Sequence, residues 1–359
     1  MKHPSRLLEV TRIFFVAATL ALCAAVAANP TAVSAAECKM LQAADLPVRL
    51  QRNKLIVDGE INGHKVGIVL DTGSTRTLIL RSAAERLGLR RDQARGVRMF
   101  GVGGETNVES ALVDEIRIGE AGRKNLRMLV AGEHELGRDM DVLLGEDFLH
   151  GYDIEFDLAH GAVRLYQPRG CEGVPLAYWA TDGASEVAID AIDEVRPQIR
   201  FSVLVNGHPL SALLDSGAAI SLLDSPVAAR LGVTPATPGV TPLGRGGGLG
   251  QKAIDYWTGP FQSFAIGDET IRDTSIAFAA LFKDASYTMT GSHVPRKVES
   301  VAMLLGADFL RAHRVLVAHS QQKMYFTYIG GPVFQHLAPA ASSGETRREA
   351  DAGPAGGDK

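Results

Sequence analysis

Apolar runs alternate with short polar breaks along most of the chain, and the breaks are rich in glycine and asparagine. "KLIVDGEINGHKVGIVLD" (54–71) is two apolar runs joined by Asn62-Gly63, the pattern of two strands on a tight hairpin turn. "PQIRFSVLVNGHPLSALLD" (197–215) repeats it, again with Asn-Gly at the joint. "RSAAERLGL" (81–89) and "SPVAARLGV" (225–233) predict short helices, each stopped by a glycine. "VLLGEDFLHGYDIEFDLAHGAVRLY" (142–166) predicts a strand, a helical turn and a hairpin that bends at His160-Gly161. "MLLGADFLRAHRVLVAHSQQKMYF" (303–326) follows the same plan. The fold class expected from this pattern is mainly β, with a few short helices.

These similarities are one internal repeat. Asp71 and Asp215 are 144 residues apart, as are the two Asn-Gly-His triplets (62–64 and 206–208) and "RLGL" (86–89) from "RLGV" (230–233). "GVGG" (101–104) answers "GRGG" (244–247) at an offset of 143, and "RIGE" (117–120) answers "AIGD" (265–268) at 148. "LLGEDFL" (143–149) answers "LLGADFL" (304–310) at 161, so the second copy carries insertions, the largest around "SYTMTGSHVPRK" (286–297). Two long copies predict two lobes rather than a solenoid of small units. The expected organisation is a leader at 1–36, a first lobe at 37–170, a connection at 171–196, a second lobe at 197–336 and a disordered tail at 337–359.

Composition adds compartment and excludes one class of partner. The 359 residues are 46% hydrophobic and 22% charged, with a net charge of −4; no basic field points to nucleic acid. Lys2, Arg6 and Arg12 precede the apolar run "IFFVAATLALCAAVA" (13–27) and then small residues. That order reads as an export signal cut after Ala28, Ala35 or Ala36. The run is short for a membrane span, so the expectation is a periplasmic or cell-surface protein without stable membrane insertion. Cleavage would leave Cys38 and Cys171. An exported chain favours a disulfide between them over two free thiols.

The chemistry lies in the two turns that the repeat superimposes, Asp71-Thr72-Gly73-Ser74 and Asp215-Ser216-Gly217-Ala218. Each carboxylate follows an apolar strand, where an isolated charge would be costly. Either turn alone could be a solvated strand end. Two equivalent turns meeting across a pseudo-two-fold axis would place two carboxylates side by side, sharing one proton, so that one serves as base and the other as acid. Such a pair can activate water with neither metal nor cofactor.

The pair "LDTGS" and "LDSGA", each followed by a glycine-rich hairpin and then "LLG", resembles the pepsin–retropepsin family of aspartic proteases. The compact copies resemble retropepsin subunits fused in one chain. The resemblance implies a bilobal fold of two β-barrel lobes and an aspartic endopeptidase acting as a monomer on a polypeptide bound in extended form. It implies Asp71 and Asp215 as the catalytic dyad, Thr72 and Ser216 as a hydroxyl brace between the loops, and Gly73 and Gly217 as completing the triplets. It implies flaps at Gly101, Val102, Gly103 and Gly104 and at Gly244, Arg245, Gly246 and Gly247, and a structural role for Gly145 and Gly306. A peptide-binding module without turnover is the alternative. Ser74 against Ala218 breaks the symmetry; a Ser74 hydroxyl on Asp71 would make Asp71 ionise first and leave the proton on Asp215. Neither flap carries the tyrosine usual in pepsin, and Phe100, Tyr256 and Trp257 are expected to pack on the core.

Other motifs are weaker. "GRGGGLG" (244–250) lacks the helix and acidic residue of a nucleotide site. "HELG" (134–137) lacks the second histidine of a zinc-protease motif. His313 and His319 are expected at the surface or at hairpins, and Asp147 and Asp308 as caps of short helices.

Overall fold

The computed structural model describes residues 38–119, 121–132, 136–137, 139–192, 197–282, 286–288, 295–297 and 301–334. The expected leader, the expected tail and His134 lie outside them. Each copy of the repeat closes into a six-stranded barrel. In the first lobe the order is Lys54–Ile61, His64–Leu70, Val142–Leu144, Leu78–Leu80, Ala121–Ala131 and Glu109–Ile118. The last strand pairs back onto the first, with Gly59 opposite Ile118. In the second lobe the order is Arg200–Val205, His208–Leu214, Met303–Leu305, Leu222–Asp224, Glu269–Ala279 and Ile254–Ile266. It closes through Leu204 opposite Ala265. Closure leaves few open strand edges.

Local chemistry sets these elements. Asn62 and Gly63 both have positive φ (50° and 78°), as do Asn206 and Gly207 (51° and 77°), which is what a tight hairpin twisting with its strands demands. The asparagine side chain has a second use. Asn62 Oδ1 accepts from the Asp114 and Glu115 amides, and Asn206 Oδ1 from those of Gln262 and Ser263. The short helices occupy Arg81–Arg86 and Ser225–Arg230.

A third sheet joins the lobes, in the order Lys39–Pro47, Ala162–Arg169, Asp153–Asp157, His313–Ala318, Lys323–Tyr328 and Ser185–Ala188. Its two middle strands come from the two copies, with Ile154 opposite Val317 and Phe156 opposite Val315. The segment 171–196 is therefore more than a connection, because Ser185–Ala188 is an edge strand of this sheet. Cys38 and Cys171 are disulfide-bonded, with Cα atoms 4.4 Å apart, at the head of the other edge strand. Of the insertion near 286–297, Ser286–Thr288 pairs antiparallel with Pro295–Lys297.

Two buried carboxylates of this sheet, Glu155 and Asp157, are paired with arginines. Glu155, fully buried, accepts from Arg314 Nε (2.7 Å) and Tyr178 Oη (2.8 Å). Among the described residues no helix is long and apolar enough to cross a membrane.

Candidate active site

Three segments of each lobe build the site. The strand His64–Leu70 runs into Asp71, and Val142–Leu144 lies parallel beside it, with Leu144 opposite Leu70. The Asp71 amide donates to Leu144 O (3.0 Å). In the second lobe Leu305 lies opposite Leu214, and the Asp215 amide donates to Leu305 O (2.9 Å). Gly145 and Gly306 end these threading strands because nothing larger fits. A Cβ on Gly145 would lie 2.6 Å from the Arg76 carbonyl carbon, and one on Gly306 2.6 Å from that of Ile220.

Asp147 and Asp308 do not cap helices, because their carboxylates have been recruited as tethers. Asp147 accepts from both the amide and the hydroxyl of Thr77 (2.7 Å each). Asp308 likewise takes the amide (2.9 Å) and hydroxyl (2.6 Å) of Ser221. Each tether fixes a helical turn to the loop that follows the Asp-hydroxyl-Gly triplet.

The two triplets interlock. Thr72 Oγ1 donates to Leu214 O (2.7 Å) and accepts from the Ser216 amide (3.0 Å). Ser216 Oγ donates to Leu70 O (2.8 Å) and accepts from the Thr72 amide (3.0 Å). Both side chains are fully buried, so losing one strands its partners without water. Thr72→Val removes a donor and an acceptor at once. It is expected to lower unfolding free energy by about 2–4 kcal/mol in urea denaturation; a loss under about 0.5 kcal/mol would show that the brace does not hold the lobes.

This brace brings Asp71 and Asp215 together, each above the other lobe's glycine. A Cβ on Gly73 would lie 2.5 Å from Asp215 Cγ, and one on Gly217 2.3 Å from Asp71 Oδ1. Asp71 Oδ1 accepts from the amides of Gly73 and Ser74 (3.1 Å each), and Asp215 Oδ1 from the Ala218 amide (2.9 Å). Burial, then the charge of Asp215, push Asp71 up to about 7. Burial also raises Asp215, while Lys54, backbone donors and a hydrogen bond from Asp71 oppose the rise. Burial thus raises both carboxyls of the pair, and the order expected from Ser74 finds no support in the position of its hydroxyl. The Ser74 hydroxyl donates to Arg76 O (2.8 Å), so only its amide serves Asp71, as the Ala218 amide serves Asp215.

Two further groups at the site carried no motif. Lys54 Nζ, at the mouth of the first barrel, donates to Gly217 O and favours the charged form of both carboxylates. The position answering it in the second copy is Gln198, a mismatch that the repeat offset could have exposed. Glu146 is fully buried behind the loop, with no hydrogen-bond partner for either oxygen among the described residues. Burial, Asp71 and Asp147 push its carboxyl well above the usual range, which favours the neutral form. His319 Nε2 lies 3.8 Å away. His319 sits at a hairpin but only 5% of its side chain is exposed, and His313 is a core residue stacked on Phe309 at 4.0 Å. Phe309 and Phe326 pack His313 into the core, while His319 is enclosed by His150 and the Tyr152 carbonyl.

Above the carboxylates lies a cleft of about 420 Å³. The first roof hairpin pairs Met99–Gly101 with Gly104–Thr106, with Val102 and Gly103 at its tip. The second tip comes later than expected. Gly244, Arg245 and Gly246 lie within the strand Thr241–Gly246, and the tip begins at Gly247 and runs on through Leu249 and Gly250. The tips touch through backbone: the Gly248 and Gly250 amides donate to Val102 O (3.1 Å each), and the Lys252 amide donates to Gly103 O (3.0 Å). Phe100 lines the cleft, contrary to expectation, because its strand forms the roof; Tyr256 lines the cleft and also packs, as expected, against the apolar cluster of Leu222 and Leu281, and Trp257 packs on the core.

Comparison with known proteins agrees with this fold. A family model described as "Aspartyl protease" matches residues 57–148 and, separately, 201–309. Together the two stretches cover more than half of the chain. The UBA domain-containing protein Mud1 of Schizosaccharomyces pombe is 34% identical over 119 residues, which is 31% of this chain and 33% of that protein. The likeness thus spans about a third of that relative's length.

Proposed function

The chain belongs to the aspartyl protease family, and on that premise we propose that it is an exported aspartic endopeptidase whose dyad is Asp71 and Asp215. The observation that carries the reading is reciprocal: each Asp-hydroxyl-Gly turn seats its glycine under the other's carboxylate. Asp215, ionised, takes a proton from a water held between the carboxylates, and the oxygen attacks the peptide carbonyl carbon. Asp71, protonated, gives its proton to the carbonyl oxygen. Collapse of the tetrahedral adduct then breaks the C–N bond as the amine nitrogen takes a proton from Asp215 and an adduct hydroxyl returns one to Asp71, which restores the starting dyad. The flaps offer backbone groups to an extended substrate by strand addition. Both carboxylates come from one chain, so activity per molecule is expected to be constant on dilution. The leader supports export, and intact mass of the exported protein would show cleavage near Ala28–Ala36.

The test is cleavage of a mixed peptide library, with dyad variants as controls. The pH profile adds a second. The active form carries one proton on the pair, so kcat/KM is expected to fall as pH rises through about 7, where Asp71 ionises. Lys54→Met removes a cation that favours ionisation of both carboxylates. The alkaline limb should then move to higher pH, and an unmoved limb would remove Lys54 from the electrostatics of the dyad.

A further inference from the structure

A groove of about 1040 Å³ runs along the outside of the first lobe and opens into the cleft; Thr75, Met99, Phe100, Gln198 and Arg200 line both. Its charge is one-sided. Arg76, Arg98, Arg123, Arg127 and Arg200 line it against one carboxylate, Asp147, already engaged by Thr77. This is a local excess in a chain of net charge −4. Arg98 is clasped by Glu105 (2.7 Å), and Arg127 reaches Asp92 (3.6 Å). Arg76 and Arg123 are exposed and have no carboxylate partner among the described residues. The Arg123 guanidinium stands 4.9 Å from the centre of the Phe148 ring, so it is held over an aromatic floor with its edge open.

The repeat supplies an independent comparison. The offsets of 144 and 148 that align the copies set Arg76 against Ile220 and Arg123 against Ile271. The second lobe keeps the glycine ahead of the strand that holds Ile271, with Gly119 and Gly267 both at φ 57°, but not the cation. The fold therefore does not require the arginines; they belong to one lobe.

We propose that this groove is a second binding site for the polypeptide substrate, taking an acidic segment with an aromatic or large apolar side chain that leaves the cleft on the first-lobe side. The proposal rests on the endopeptidase reading of the cleft. Continuity with the cleft makes the occupant the same extended chain, which advances about 3.3 Å per residue. Its carboxylates would meet Arg76 and Arg123, and its ring or aliphatic side chain the floor of Phe148 and Met99. Exposed ion pairs contribute modestly, so the site sets preference among substrates rather than turnover.

The experiment uses one cleavable core, found in a peptide library, extended at either end with an Asp/Glu/Phe segment or with a Gly/Ser segment of equal length. Wild-type kcat/KM is expected to favour one of the acidic extensions by about fivefold, mainly through KM and less at high salt. In the double variant Arg76→Glu/Arg123→Glu that ratio should fall to one or below. Fluorescence anisotropy of the same peptides on the Asp71→Asn protein reads the groove without cleavage. Acidic peptides should bind it more tightly than neutral ones, and the double charge reversal should erase the difference. Equal ratios in wild type and variant, or equal anisotropy for both extensions, overturn the groove. A wild type that binds acidic peptides through these arginines but cleaves none overturns the endopeptidase reading instead.

Discussion

Asp71→Asn, and separately Asp215→Asn, are expected to lower peptide cleavage by at least roughly 10³- to 10⁴-fold, the worth of a positioned acid or base. An amide cannot take a proton from water, nor give one to a carbonyl oxygen, and the remaining aspartate cannot serve both roles at one pH. Loss of activity alone would not exclude unfolding, but the pH dependence of stability does. Asp71 is raised by burial and by Asp215. A carboxyl raised in the folded state contributes its stability fully below the unfolded value and loses it as pH rises through about 7. Above that pH the wild type pays for a buried charge that Asp71→Asn lacks. The side chain keeps part of its surface open to the cleft, which discounts the effect to about 1–3 kcal/mol. The variant should therefore be inactive yet as stable as wild type at pH 3, below the unfolded value, and more stable at pH 8. Residual cleavage at a hundredth of wild type would remove Asp71 from the chemistry. A wild type that binds peptides and never cleaves them would leave a binding module on this fold.

Much of this site is legible from periodicity because its parts are local. Asn-Gly turns, glycine-stopped helices and apolar strands follow from backbone preferences within a few residues, and the 144-residue offset superimposes them. The central sheet is not legible in this way. Its key pairing, Ile154 with Val317, joins strands remote in sequence, and either strand read alone is an ordinary buried run. Side-chain partners escape for the same reason. Asp147 and Asp308 look like helix caps until the loop holding Thr77 or Ser221 is folded against them. Ser74 looks like a ligand of Asp71 until the turn offers its hydroxyl the nearer Arg76 carbonyl. Lys54 begins a strand, where a lysine is usually solvated, and only the packing of one lobe against the other brings it to Gly217. The one available signal was its replacement by Gln198.

Gly217→Ala is expected to cost about a hundredfold or more in kcat with little change in KM. Neither Gly73 nor Gly217 has the positive φ that only glycine tolerates easily, so a methyl is not barred by the backbone. It is barred by the neighbour: the new Cβ would lie 2.3 Å from Asp71 Oδ1 and 2.4 Å from Cγ. The carboxylate cannot step aside freely, because the Gly73 and Ser74 amides hold it. Either those bonds break or the two turns separate, and the brace through Thr72 and Ser216 resists separation. Overpacking of this kind costs about 1–3 kcal/mol of stability. Displacing a reacting group by about an ångström costs about a hundredfold in rate. Gly73→Ala, acting on Asp215 through the same geometry, should match it. A Gly217→Ala enzyme that folds and keeps its kcat would mean that the carboxylates need not lie over the opposing turns, and the reciprocal seating would then be architecture without a chemical role.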